Sequence, residues 1–139
     1  MGTKIKNIEK AEVFKMQDEV QYQDGQVVSK TLSQNQAVSL TLFAFEKGEE
    51  ISTHKSGGDA MATVLEGAGK FTIDGKEYIL NDGESIVMPA EIPHAVYGQE
   101  RFKTLRGLCT DGQGNHLTTT NRIWRAKLSS TSKSEGLGR

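Results

Sequence analysis

Alternating side chains between residues 37 and 46 predict a β-strand that is buried on both faces. Successive side chains of a strand point to opposite sides of its sheet. Apolar groups occur here on both sides, which indicates burial on both. We therefore expect one side to line the core and the other to be covered by something else. One face carries Val38, Leu40, Leu42 and Ala44, and the other carries Ser39, Thr41, Phe43 and Phe45.

A second pattern predicts a β-hairpin in the middle of the chain. Two short runs rich in strand-forming residues, 70–73 and 76–80, flank the dipeptide Asp74-Gly75. Asp-Gly readily adopts the positive φ angles that two-residue hairpin turns require. Further Asp-Gly pairs at 24–25, 82–83 and 111–112 are typical of the same kind of chain reversal.

Shorter apolar runs predict the remaining strands. Val13-Phe14 and Val27-Val28 indicate early strands, and residues 102–105 indicate the last strand of a barrel, with Leu108 as a candidate end. No segment shows a sustained helical period with capping residues. The fold class predicted from these patterns is all-β.

Composition favours a small single-domain protein. The chain has 139 residues, a hydrophobic fraction of 35% and 15 glycines, which suits one core with many tight turns. A net charge of −1 gives no positive surface for nucleic acid or an anionic membrane, and no apolar run reaches the length of a membrane span. The lone Cys109 excludes an intramolecular disulfide and favours a reducing compartment. We therefore predict a cytoplasmic protein without nucleic-acid or membrane partners.

Charge divides the chain unequally. Residues 1–105 hold 11 Lys/Arg against 16 Asp/Glu, a net of −5, whereas residues 106–139 hold 6 against 2, a net of +4. The serine-rich end has few apolar residues and is typical of disorder. We predict three parts: N-terminal strands at 1–34, which are candidates for exchange between subunits, a barrel at 35–108, and a polar basic tail at 109–139.

Two short motifs about 30 residues apart carry the strongest functional signal. The first runs from Gly48 through His54 to Gly67, and the second from Gly83 through Pro89 to His94. Their spacing resembles the cupin motifs Gly-x5-His-x-His-x3-Glu-x6-Gly and Gly-x5-Pro-x-Gly-x2-His. The resemblance covers roughly residues 35–105. It implies a double-stranded β-helix, a jelly-roll-like barrel that often holds one metal ion.

Two of the four metal-ligand positions implied by this resemblance differ here. Ser56 stands in place of the second histidine and Ala60 in place of the glutamate. A hydroxyl is a poor ligand and a methyl group is none. The resemblance therefore leaves His54 and His94 as metal ligands for one divalent ion (Mn, Fe, Ni, Cu or Zn), and His54, Ser56 and His94 as ligand-binding residues. Asp59 is an alternative third ligand, but strand alternation turns it away from the lumen unless a bulge at Gly57-Gly58 shifts the phase.

Three functions remain open, because cupins serve many activities on one fold. The loss of two ligands favours a small-molecule-binding cupin with weak or absent catalysis. The alternatives are a metal-dependent enzyme such as a dioxygenase or isomerase, and a dimeric regulatory or interaction module.

The predicted strand at 37–46 also bears on assembly. One small barrel covers one face of it, and the other face would be left as an apolar patch that favours association. We predict a two-fold symmetric homodimer.

Overall fold

The computed structural model describes residues 4–110 and is almost entirely antiparallel β-structure. A short 3₁₀ helix, Met16–Glu19, precedes seven strands. The strands are β1 (Val27–Gln34), β2 (Val38–Phe45), β3 (Glu50–His54), β4 (Asp59–Ile73), β5 (Lys76–Leu80), β6 (Ser85–Met88) and β7 (His94–Cys109). The all-β prediction is confirmed.

Strand pairing closes the barrel around its two longest strands. The main order is β1-β2-β7-β4-β5, with β3 also paired to β7 and β6 also paired to β4. β7 pairs with three strands and β4 with three, so each serves both sheets of the double-stranded β-helix. Because β7 starts at His94 and continues to Cys109, the predicted last strand is confirmed and is longer than expected.

The predicted hairpin is present at the expected residues. β4 ends at Ile73, β5 begins at Lys76, and Ile73 pairs with Lys76 across the turn. Asp74 and Gly75 both have positive φ, 51° and 85°, which is the backbone of the turn that fits the strand twist. The pair at 111–112 lies outside the described residues.

The apolar groups form two clusters on opposite sides of the sheet. Alternation along β2 sends Phe43 and Phe45 toward the barrel interior, and Leu42 and Ala44 toward the outside. The pattern predicted these two faces and left open which of them lines the core. The interior cluster centres on Phe102, which is fully buried and stacks on Phe45 with ring centroids 4.6 Å apart. Its buried members are Phe45, Ala60, Ala62, Val64, Phe71, Leu80, Met88, Val96 and Phe102.

The outer face of β2 is covered by this chain's own N-terminal segment. Val20 is buried there against Leu32, Leu42 and Ala44, and Met16 packs beside them. The side-chain ammonium of Lys103 donates to the Gln17 carbonyl at 2.6 Å and holds this segment to the barrel. The expectation that this face forms an exposed patch is therefore wrong, because residues of the same chain occupy it.

The N-terminal region differs from the prediction in one further respect. Val13-Phe14 is not a strand, and its side chains are exposed. Strand β1 begins at Val27 and pairs with β2 of the same chain, so it joins the barrel sheet. The division at 34/35 remains a prediction, as does the tail, of which residues 111–139 lie outside the described part. No helix within residues 4–110 combines the length and apolar character needed to cross a membrane.

Candidate functional site

The two motif histidines meet at one end of the barrel. His54 is the last residue of β3, His94 is the first of β7, and the two are paired across these strands. Their rings contact edge to face, with centroids 4.4 Å apart. The structure thus brings together the two residues that the motif spacing singled out.

Backbone contacts orient both imidazoles in the same way. Nδ1 of His54 lies 2.9 Å from the Ser52 carbonyl, and Nδ1 of His94 lies 3.2 Å from the Ile92 carbonyl. A carbonyl only accepts, so Nδ1 carries the proton and donates in each ring. When a ring is neutral, its Nε2 atom is then an acceptor that a ligand can use.

His94 is the more deeply placed of the pair. Its side chain is buried, whereas His54 is exposed at the mouth. Burial lowers the pKa of His94 from its usual 6.5, and the nearby positive charges of His54 and Arg106 lower it further, against the opposing effect of the Ile92 carbonyl. His94 is therefore a neutral imidazole at pH 7.

The other predicted positions do not converge on this pair. The Ser56 hydroxyl donates to the Gly58 carbonyl at 2.9 Å, and Ser56 is not among the described residues that line the pocket. Ala60 is buried in the interior cluster. Asp59 precedes it in β4, and its carboxylate accepts from the Ala90 amide at 2.8 Å, which ties the start of β4 to the loop between β6 and β7. Alternation along the strand therefore keeps Asp59 out of the lumen, as predicted.

The second motif has a further departure that the sequence reasoning passed over. Glu91 stands where the resembled motif has glycine, yet its φ is +64°, in the left-handed region. A non-glycine residue in that region costs of order 1–2 kcal/mol. The Glu91 amide donates to the Ser56 carbonyl at 2.9 Å, which helps to hold this turn. The backbone path that leads into His94 is thus kept without the glycine.

The histidines open onto a small pocket with mainly apolar walls. Its volume is about 30 Å³, enough for a water molecule or a small polar group but far below the ~150 Å³ of a cavity that holds benzene. A larger ligand therefore has to extend toward the exposed His54. The lining residues are Phe43, Phe45, Ile51, His54, Ala62, Phe71, Met88, His94, Val96, Thr104 and Arg106.

Arg106 is the polar group that sequence reasoning missed. Its guanidinium lies over the Phe43 ring, 5.1 Å from the centroid, a contact worth about 0.5–2 kcal/mol. Its Nε is buried and has no hydrogen-bond partner within residues 4–110, which costs ~1–3 kcal/mol. Burial lowers the pKa of Arg106, although arginine stays protonated in proteins.

A signal for Arg106 was present in the sequence. Phe102, Thr104 and Arg106 share one face of β7, because alternate residues of a strand point the same way. Phe102 and Thr104 are buried inside the barrel, and Arg106 lines the pocket beside Thr104. Alternation along the predicted strand 102–105, continued by one residue, puts Arg106 on the same face as Phe102 and Thr104.

The residues present do not fit a resident metal ion well. Within residues 4–110, no group of three or more His, Cys, Asp or Glu side chains is arranged to hold a metal. An imidazole carries no negative charge, and no carboxylate within residues 4–110 lines the pocket with the two rings to offset the charge of a dication. Arg106 adds a positive charge to the same pocket, which disfavours a cation and favours an anion.

Comparisons with known proteins agree with this architecture. The family model for the cupin domain matches residues 41–109. A conserved protein of unknown function from Streptococcus pyogenes is 44% identical, with a TM-score of 0.76, over 78% of this chain and 95% of that one. A cupin superfamily protein from Desulfitobacterium hafniense is 29% identical, with a TM-score of 0.74, over 77% and 98%.

A more distant likeness is to the salicylate 1,2-dioxygenase of Pseudaminobacter salicylatoxidans, at 19% identity and a TM-score of 0.56, over 60% of this chain and 26% of that one. This likeness shows a shared fold. No curated protein gives a significant match. The seven-stranded barrel with its two motif histidines defines a cupin-type β-barrel, and the chain belongs to the cupin superfamily.

Proposed function

We propose that this cupin binds a small organic molecule in the barrel pocket, with His54 and His94 as polar contacts and with little or no catalytic activity. The observation that carries the proposal is the combination of apolar walls with a few convergent polar groups, the usual composition of a ligand site. The two Nε2 atoms act as hydrogen-bond acceptors, and the aromatic and aliphatic walls exclude water from the bound group.

The surroundings of the two histidines support the proposal of weak or absent catalysis. Neither imidazole is hydrogen-bonded to a carboxylate within residues 4–110, since each Nδ1 contacts a backbone carbonyl. Within the same residues, no nucleophilic Ser or Cys lies among the pocket residues. A nucleophile is activated by a base within hydrogen-bond reach, and the lining residues within 4–110 hold no such Ser or Cys pair, so binding is the function that the site supports best.

A pocket-filling variant tests this function. Ala62 is buried on the pocket wall, and Ala62→Leu adds a side chain that occupies the small cavity. We expect a panel of small aliphatic and aromatic probes, with acid, amide or alcohol groups, to shift the wild-type NMR signals of Val96 and His94. The shifts should disappear in Ala62→Leu and persist in Met61→Leu, the matched control on the exposed side of β4. Identical shifts in both variants would contradict binding in the lumen.

A metal-dependent enzyme is the second candidate, favoured by the close approach of the two rings and their free Nε2 atoms. The dioxygenase neighbour acts on salicylate by its name, and such a reaction here would require a metal. Elemental analysis of protein purified without added metal decides between the candidates. One metal per chain, with affinity lost in His54→Ala and His94→Ala by calorimetry, would favour the enzyme over the binding protein.

We also propose that the protein is a two-fold homodimer. The outer face of β2 is covered, but Met61 and Val87 are paired across β4 and β6 and are about half exposed, at 55% and 51%. Both are apolar side chains that stay exposed on the outer face of the sheet, in one row with Gly107 and Leu40, and association would bury them. The exposed, free thiol of Cys109 supports the cytoplasmic location expected from the sequence.

A further inference from the structure

The guanidinium of Arg106 gives the pocket an uncompensated positive charge. In the described part of the chain, no Asp or Glu forms an ion pair with Arg106. By contrast Arg101, five residues earlier in β7, is paired with Glu46 through two hydrogen bonds at the barrel surface. On this strand the guanidinium outside the barrel is thus paired with a carboxylate, and the guanidinium inside the barrel has no such pair within residues 4–110.

The surroundings of Arg106 favour an external acceptor. Buried charges in proteins are normally paired and hydrogen-bonded, because an isolated one is poorly solvated. The Phe43 ring stabilises the cation through its face but supplies no hydrogen-bond acceptor in the ring plane. A buried Nε donor without a partner at the wall of an open pocket is therefore a recognition group whose partner arrives with the ligand.

We propose that Arg106 binds the carboxylate of a small organic monoanion, which makes monocarboxylates the ligand class of this pocket. The proposal rests on the proposed binding function. A planar guanidinium matches a carboxylate with two parallel hydrogen bonds. The small pocket accommodates the carboxylate beside Arg106, and the hydrocarbon body extends along the apolar lining toward the exposed His54.

Charge balance selects a monoanion over phosphate. Arg106 is the one permanently charged residue among the described residues that line the pocket. A monocarboxylate neutralises Arg106, whereas a phosphate dianion would leave a buried excess of negative charge. The Nε2 atoms of the two histidines are hydrogen-bond acceptors, so they favour a donor, such as a hydroxyl group, on the ligand body.

Matched probe pairs test the proposal on the full chain. Propionate and propionamide, and benzoate and benzamide, have nearly equal shapes and differ in charge. Titrations followed by NMR at pH 7 should show that wild-type protein binds each acid at least tenfold more tightly than its amide, and more tightly than inorganic phosphate or chloride. Arg106→Gln should remove this preference, Arg106→Lys should retain part of it, and Arg101→Gln should leave it unchanged.

The outcomes separate this proposal from the binding function itself. Equal binding of acids and amides, with signals that move at Val96, would leave the ligand pocket in place and overturn the role of Arg106. Preferred binding of phosphate or chloride would overturn the monocarboxylate class. Binding of no probe by wild-type protein would overturn both. The acid–amide comparison needs only wild-type protein, so it stands even where Arg106→Gln fails to fold.

Discussion

Gly69→Ala tests how tightly the aromatic centre of the barrel is packed. A Cβ atom built on Gly69 would lie 2.6 Å from Cε2 and from Cζ of Phe102 and 3.0 Å from Cδ2. Carbon atoms pack best about 3.5–4.0 Å apart, so the ring or the backbone has to move by roughly 1 Å. The perturbation is one methyl group against one buried ring.

Neither side of this contact is free to move. Gly69 lies in β4 and is paired with Leu80 of β5 on one side and with Gly98 of β7 on the other. The Phe102 ring is fully buried between Phe45, at 4.6 Å between centroids, and Phe71, at 6.0 Å. Overpacking of this kind costs about 1–3 kcal/mol, and the smaller backbone entropy of the unfolded alanine chain offsets about 0.4–1 kcal/mol of it.

We therefore expect Gly69→Ala to lower the free energy of unfolding by about 1–2 kcal/mol. With a denaturant slope of about 1.5 kcal/mol per molar urea, the midpoint falls by about 1 M. Gly107→Ala is the matched control, because its Cβ would meet Leu40 Cδ2 at 3.4 Å, an ordinary contact. That variant should be neutral or slightly more stable.

A second substitution identifies the contact itself. Phe102→Leu removes the ring atoms that the new methyl group would strike, so Gly69→Ala should cost less in that background, with a coupling of about 1 kcal/mol. Urea unfolding followed by far-ultraviolet circular dichroism gives the free energy of unfolding of wild-type protein, the Gly69→Ala and Phe102→Leu variants, and the double variant. An unchanged midpoint for Gly69→Ala, or equal costs in both backgrounds, would refute the packing described for this region.

Two more predictions concern pH and assembly. Burial lowers the pKa of His94 below 6.5 in the folded state. Below about pH 6.5 the unfolded chain therefore binds more protons than the folded protein, and stability falls as pH falls. The urea midpoint of His94→Gln should drop less between pH 7.5 and 5.5 than that of wild-type protein, and an equal drop would contradict this role of His94. Light scattering should show a dimer that Met61→Asp dissociates while Lys76→Asp does not, and a monomer mass for wild-type protein at all concentrations would exclude the dimer.

Much of the fold could be predicted from the sequence, because turns and strands depend on the preferences of a few neighbouring residues. The hairpin at Asp74-Gly75 depends on two positive φ angles that the dipeptide favours, and the strand at β2 depends on side-chain alternation alone. The prediction of a strand at Val13-Phe14 was wrong, because two adjacent apolar residues match a strand pattern even where no neighbouring strand pairs with them. What covers the outer face of β2 depends on contacts between residues more than twenty positions apart, such as Val20 with Leu42, and strand alternation carries no information about them.

The site was accessible only in part for a similar reason. Motif spacing located His54 and His94, because in this chain each motif retains one histidine at a fixed distance from its glycines. The same spacing drew attention to Ser56 and away from Arg106, since the motif is defined by residues that bind metal. The Ser56 hydroxyl is turned to its own loop by the Gly58 carbonyl. Such a local competition depends on backbone geometry that spacing does not specify.

The substitutions in the metal motif and the presence of Arg106 become consistent when the charge of the pocket is considered. A cupin site of three imidazoles and one carboxylate carries a negative charge and is matched to a divalent cation. Here the carboxylate position is Ala60, one histidine position is Ser56, and the lumen contains a guanidinium instead. Compared with that set of ligands, this pocket carries a positive charge in place of a negative one, which weakens binding of a cation and strengthens binding of an anion in the same space. The two remaining imidazoles need no metal for this role, because neutral Nε2 acceptors can orient a hydroxyl-bearing ligand whose carboxylate is bound by Arg106.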